Sequence, residues 1–135
     1  MWVVDTCVVI DVLEDDPDFG QGSARLLQRL LRNGLTICPV TFVELAPAFE
    51  GDLVEQKRFL DLAGISWQEP WSLAATEAAH GAWSRYVMAR RREQVAKRPV
   101  ADLLIGGFAG GYQGLVTRNP DDFRRWFPKL KIRVP

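Results

Sequence analysis

The sequence predicts an α/β domain, a three-layer sandwich with a central parallel sheet between helices. Two observations carry this reading. Short apolar runs recur along the chain at Met1-Trp-Val-Val4, Leu35-Thr-Ile-Cys38, Ile65-Ser-Trp67, Gly114-Leu-Val-Thr117 and Ile132-Arg-Val134. Such runs suit strands buried on both faces, as in parallel sheets. Between them lie longer segments with apolar residues at helical spacing, the alternation that builds βαβ units. The 135 residues contain no repeat, low-complexity tract or linker, which fits one domain, 1–135.

The elements follow in order. The first strand ends at Asp5, and Thr6 can cap the helix Cys7 to Leu13. Asp15-Asp-Pro-Asp18 turns the chain. Leu26, Leu27, Leu30 and Leu31 lie at helical spacing on a second helix, which Asn33-Gly34 ends. Pro39 stops the second strand, and Thr41 to Ala46 begins a third helix with a turn near Pro47. Asp52 to Ala63 is amphipathic, with Leu53, Phe59, Leu60 and Leu62 as its apolar positions, and Gly64 closes it. Leu73 to Arg92 is a long helix rich in Ala that ends in Arg90-Arg-Arg92. Lys97-Arg-Pro99 forms the loop before a helix from Val100 to the region of Phe108. A short helix, Asn119 to Trp126, lies between the last two strands.

Hydrophobic residues make up 47% of the chain and charged residues 25%, an ordinary globular balance that excludes a disordered or fibrous protein. The net charge of zero argues against a generic nucleic-acid glue. Yet residues 1–84 hold 5 Lys/Arg against 13 Asp/Glu, and residues 85–135 hold 12 against 4. Such asymmetry suggests an acidic site beside a basic surface, unless the fold intermixes the halves. Cys7 and Cys38 sit in apolar runs without metal-ligand spacing and read as buried free thiols. No basic leader precedes the first apolar run, and no stretch approaches the roughly 20 apolar residues of a membrane helix. The expected location is therefore the cytoplasm, with no membrane partner.

In open parallel sheets, sites form beyond the carboxyl ends of the strands, near a switch in strand order. Asp5 stands there directly. It could be a helix cap instead, but Thr6 can serve that role. Glu44 follows the second strand inside the largely apolar Val40-Thr-Phe-Val-Glu-Leu-Ala46 and reads as part of a half-buried helix start. It is also three residues after Thr41, the capping-box relation. Asp102 is a lone acid in Pro99-Val-Ala-Asp-Leu-Leu-Ile105, near a helix N-terminus that favours negative charge. Asn119, Asp121 and Asp122 follow the fourth strand in Thr117-Arg-Asn-Pro-Asp-Asp-Phe123, which equally suits a turn and cap. Carboxylates converging at one sheet edge repel unless a cation sits among them. Oxygen ligands without His suit a hard ion, Mg²⁺ or Mn²⁺. Such an ion can promote phosphodiester hydrolysis. His80, the single histidine, lies mid-helix and supports neither a His-based nuclease nor a zinc site.

The stretches Val3-Val-Asp5-Thr-Cys-Val-Val-Ile10, Thr41-Phe-Val-Glu44-Leu, Pro99-Val-Ala-Asp102-Leu-Leu-Ile and Leu115-Val-Thr117-Arg-Asn119-Pro-Asp-Asp122-Phe together resemble the PIN domain, and within it the VapC-type toxins of type II toxin–antitoxin pairs. The resemblance spans nearly the whole chain in the family's order. It implies a Mg²⁺- or Mn²⁺-dependent endoribonuclease, a VapB-like antitoxin that blocks the site, and a homodimer. It implies that Asp5, Glu44 and Asp102 form the acidic cluster, with Asp5 and Asp102 as leading metal ligands. Thr6 and Thr117 then orient the carboxylates. Where the family often has another acid, this chain has Asn119, and Asp122 replaces it directly or through water. On this reading a metal-activated water attacks the scissile phosphate in line, positioned or deprotonated by Glu44 or Asp102. Arg90, Arg91, Arg92, Lys97, Arg98 and Arg118 are the candidates to hold flanking RNA phosphates. Two alternatives stand beside it. An aspartate-phosphorylating domain also has an acid after its first strand, but a phosphatase of that type needs a second Asp where Cys7 stands. A catalytically weak or inactive PIN-like module that binds RNA or protein is the other.

Overall fold

In the computed structural model, which describes residues 1–93 and 95–135, the chain alternates strands and helices as follows. β1 (Trp2–Val4) leads to α1 (Thr6–Leu13) and α2 (Gly20–Leu30), then β2 (Leu35–Thr36). α3 (Pro39–Glu44), a 3-10 turn (Ala46–Phe49) and α4 (Leu53–Leu62) precede β3 (Ile65–Ser66). α5 (Leu73–Arg92) and α6 (Val100–Ala109) cross to β4 (Gly114–Val116), and α7 (Asp121–Arg124) to β5 (Ile132–Arg133). The strands pair in parallel in the order β3-β2-β1-β4-β5. Winding therefore reverses between β1 and β4, and open parallel sheets place their sites beyond the carboxyl ends of the strands at such a reversal.

Alternation along the strands divides the core in two. Trp2, Val4, Leu35 and Val116 pack on one face with Val8, Val9, Leu27 and Leu60 of α1, α2 and α4. Val3 and Leu115 face the other way, against Ile105, Phe108 and Phe123 of α6 and α7. This is the expected α/β sandwich with a parallel sheet. α5 covers α6 so closely that a Cβ on Gly107 would lie 2.8 Å from the Ala75 carbonyl oxygen. That contact seats α6, and with it Asp102, against the long helix.

Several boundaries differ from the sequence reading, each for a local reason. The second strand stops at Thr36, and Pro39 starts a helix instead of ending a strand. Its fixed φ and missing N–H suit the first helical turn. On α4, Leu62 is 80% exposed and Leu53 also faces solvent, while Gln56 is only 2% exposed. The Gln56 Nε2 donates to the Phe42 carbonyl at 2.7 Å, so a buried amide ties α4 to α3 where an apolar stripe was expected. The last short helix covers only Asp121–Arg124. Among the described residues, no helix is long and apolar enough to cross a membrane.

Candidate carboxylate site at the ends of the central strands

The β1–β4 register pairs Val4 with Val116, so the next residues, Asp5 and Thr117, emerge side by side. The Asp5 N–H continues the ladder to the Val116 carbonyl at 2.9 Å. Asp5 is 7% exposed. Its Oδ1 accepts the Thr6 N–H at 2.8 Å and its Oδ2 accepts the Thr117 hydroxyl at 2.7 Å. Asp5, not Thr6, is thus the cap of α1, and it combines that role with its place at the strand end. Burial pushes the Asp5 carboxyl above its ordinary range; the Thr117, Cys7 and Thr6 donors oppose this, and Glu44 adds to it.

Glu44 is the last residue of α3 and exposed, where a half-buried helix start was expected. Because α3 begins at Pro39, Thr41 is inside the helix and caps nothing. Buried Thr41 instead lies with its hydroxyl 3.0 Å from that of Thr6. The Thr6 hydroxyl donates to Glu44 Oε1 at 2.7 Å, so Thr6 joins the two carboxylates, Asp5 through its backbone N–H and Glu44 through its side chain.

Asp102 sits in the first turn of α6 and is half-buried. Burial, then the charges of Asp5, Asp122 and Glu44, push its carboxyl up to about 6, against a smaller opposing pull from Arg98. Among the described residues its carboxylate accepts no hydrogen bond and makes no ion pair. Asp122 is half-buried and paired with Arg98. Asp121 leaves the candidate set: its side chain is 93% exposed and lies 3.5 Å from Arg124, one helical turn on. Asn119 is exposed, and its backbone N–H donates to the Thr117 hydroxyl at 3.1 Å, so it braces Thr117 from the rim.

The basic candidates separate. Arg91, Arg92 and Lys97 are exposed, and Arg90 donates to the Val95 carbonyl at 2.5 Å. Arg118 is not poised for phosphate. Its Nε lies 2.7 Å from Oδ2 of buried Asp11, in an ion pair too bent for a hydrogen bond, and its guanidinium covers the Phe19 ring at 4.3 Å. Asp11 was missed by the sequence reading. The signal was there: an acid one turn after Cys7 and Val8, on a short and otherwise apolar helix.

Both cysteines are free thiols, as expected, but Cys7 is only half-buried and borders the site. Its Sγ lies 3.5 Å from Asp5 Oδ2. Burial and the Asp5 charge push this thiol up to about 11, so it remains protonated at neutral pH.

Asp5, Glu44, Asp102 and Asp122 therefore share one electrostatic neighbourhood. They do not close into a ready cage: among the described residues, no three His, Cys, Asp or Glu side chains stand where they could hold a metal ion. The donor chemistry still fits a hard cation. A carboxylate offers about four lone-pair sites. Asp5 uses three, Glu44 one, and Asp102 none among the described residues. Mg²⁺ commonly takes one or two carboxylates and keeps several waters. His80, exposed on α5, takes no part.

No protein-family model and no curated protein matches the sequence. Among solved structures, the chain is similar to one in the crystal structure of VapBC2 from Rickettsia felis bound to a DNA fragment from their promoter. The two are 18% identical with a TM-score of 0.68, and the match covers 98% of this chain and 97% of that one. At that identity the likeness shows the fold, a PIN-like α/β sandwich.

Proposed function

We propose that this chain is a VapC-type toxin of the PIN-domain family, a cytoplasmic endoribonuclease that depends on Mg²⁺ or Mn²⁺. The observation that carries the reading is the pair Asp5 and Asp102. Both carboxyls are raised by burial and by neighbouring acids, and among the described residues no cation pairs directly with either. A buried acid without a counter-charge is costly. Asp5 and Asp102 would hold the metal, with Glu44 and Asp122 beside them. When bound, the ion supplies a positive charge that offsets charge on the phosphate and activates water.

The chain's own residues supply the rest. Thr117 and the Thr6 N–H fix both oxygens of Asp5, so its rotamer does not depend on substrate. Thr6 aims Glu44 toward the same crevice. Glu44, exposed to solvent, orients the attacking water and accepts its proton; Asp102 is the second candidate for that role. Arg91, Arg92 and Lys97 hold RNA phosphates on either side of the scissile bond.

A VapB-like antitoxin is the partner we assign, in line with the VapBC2 complex that shares the fold. We assign self-association to the shallow apolar groove lined by Val40, Val43, Trp71 and Leu104, which begins one residue from Glu44. Burying it in a homodimer would also narrow access to the acids. The experiment is RNA cleavage by purified chain with Mg²⁺, Mn²⁺ or EDTA, beside Asp5→Asn. Metal-dependent cleavage lost in the variant supports the enzyme. RNA binding without cleavage under every condition supports an inactive RNA-binding module, a reading that Asn119 in place of an acid favours.

A further inference from the structure

Asn119 stands where the resemblance implies an acid, and of the acids that follow it Asp122 is the one whose charge acts on Asp102. Asp122 is engaged, however. The Arg98 guanidinium holds it, and that same guanidinium is the charge that opposes the raised carboxyl of Asp102. The backbone of Arg98 is pinned independently of its side chain. Its N–H donates to the Tyr86 hydroxyl at 2.7 Å, and the Tyr86 ring is buried edge-on against Trp126. The Arg98–Asp122 pair itself is partly open, with side chains 23% and 26% exposed. A pair that water reaches from both partners exchanges one of them more readily than a pair whose acid is sealed in the core. An Arg fork that fits a carboxylate fits a phosphate equally well. Arg118–Asp11 is the contrast: there the acid is buried and an aromatic ring covers the cation, which suits a permanent contact.

We infer that Arg98 is an internal counter-ion that occupies Asp122 in the ion-free protein and passes to an RNA phosphate on substrate binding, which frees Asp122 to join the hard-ion site. Arg98 is thus a positioning residue for the metal as well as a phosphate contact. RNA and metal then bind with positive coupling, and the acids hold the ion weakly until a phosphate has taken the arginine. The inference rests on the reading of the carboxylates as a Mg²⁺/Mn²⁺ site.

The test is Mn²⁺ uptake by the full chain without RNA, read from the electron paramagnetic resonance of the free ion. Arg98→Gln should bind Mn²⁺ about fivefold tighter than wild type, the size expected for removing one partly screened charge. Arg98→Lys keeps the charge and should stay close to wild type. Most of the gain should be lost in Arg98→Gln/Asp122→Asn, because the freed acid is then missing and only the direct effect of Arg98 on Asp102 remains. An Arg98→Gln affinity equal to or weaker than wild type overturns the inference, and so does a gain that is undiminished by Asp122→Asn. If Mn²⁺ binds wild type in either case, the site reading stands while the inference falls. If neither wild type nor Arg98→Gln takes up Mn²⁺ at millimolar levels, both fall together. The phosphate step has its own readout in EDTA. Arg98→Gln should lower the slope of log Kd for a short RNA against log salt by about one, while Arg98→Lys should not. An unchanged slope contradicts the transfer.

Discussion

Asp11 and Asp102 are both acids on short, apolar helices, α1 and α6, packed on opposite faces of one sheet. Asp11 is buried and matched by Arg118 at 2.7 Å, with Ser23 adding a hydroxyl at 3.4 Å. Asp102 is half-buried and feels the charge of three other acids, and among the described residues it is opposed only by the more distant charge of Arg98. The chain thus neutralises an acid where it fixes structure and leaves one uncompensated where the strand order reverses. A buried acid therefore signals function through what is missing around it, not through burial alone. The contrast predicts different losses on removing each carboxylate.

The largest effect is on chemistry. Asp102→Asn or Asp5→Asn should lower the rate of RNA cleavage on the order of 10²- to 10⁴-fold with the fold intact by circular dichroism. Asp11→Asn should leave metal uptake close to wild type. Asp11→Asn breaks the comparison from the other side. It strands a partly buried arginine and should destabilise by about 3 kcal/mol in urea unfolding. Asp11→Leu with Arg118→Met should recover most of that loss, since an ion pair of this kind exchanges well for packed apolar groups. Thr117→Val removes the donor that holds Asp5 and should weaken Mn²⁺ binding about 10-fold, as for other groups that orient a metal ligand.

The smallest effect has a distinctive sign. The folded protein holds the Asp102 proton more tightly than the unfolded chain does, about 6 against 3.8. The ionisation penalty is absent below the lower value, grows as pH rises between the two, and is constant above. In EDTA, Asp102→Asn should therefore raise stability at pH 7, on the order of 1 kcal/mol after solvent screening, and leave it unchanged at pH 3. Equal melting temperatures at both pH values would show that Asp102 is not electrostatically stressed.

The pattern of strands and helices was legible because it is local. Apolar runs and capping residues mark β1, β4 and the whole of α5, Leu73–Arg92, from a few neighbours each. Asp5, Glu44 and Asp102 were legible as candidates from their positions after strands or in a helix start, and Thr117 only through the family resemblance. Their partners were not, because the contacts are distant in sequence. Asp5 meets Thr117 across 112 positions, and Thr6 meets Glu44 across 38. Arg118 looked like a phosphate contact because nothing beside it in sequence announces Asp11. Gln56 was not singled out because its acceptor, the Phe42 carbonyl, belongs to another helix. The split of charge between halves was informative in an unexpected way. The sheet sets β1 of the acidic half beside β4 of the basic half, so Asp5 is fastened by a hydroxyl from the other half.

Calorimetric titration of wild type and Asp102→Asn with Mn²⁺ at pH 5 and pH 7.5 tests the central claim most directly. The account predicts uptake at pH 7.5, weaker uptake at pH 5 where Asp102 is largely protonated, and loss of binding in the variant at both. Uptake indifferent to pH and to Asp102, or no uptake at millimolar Mn²⁺, would contradict it.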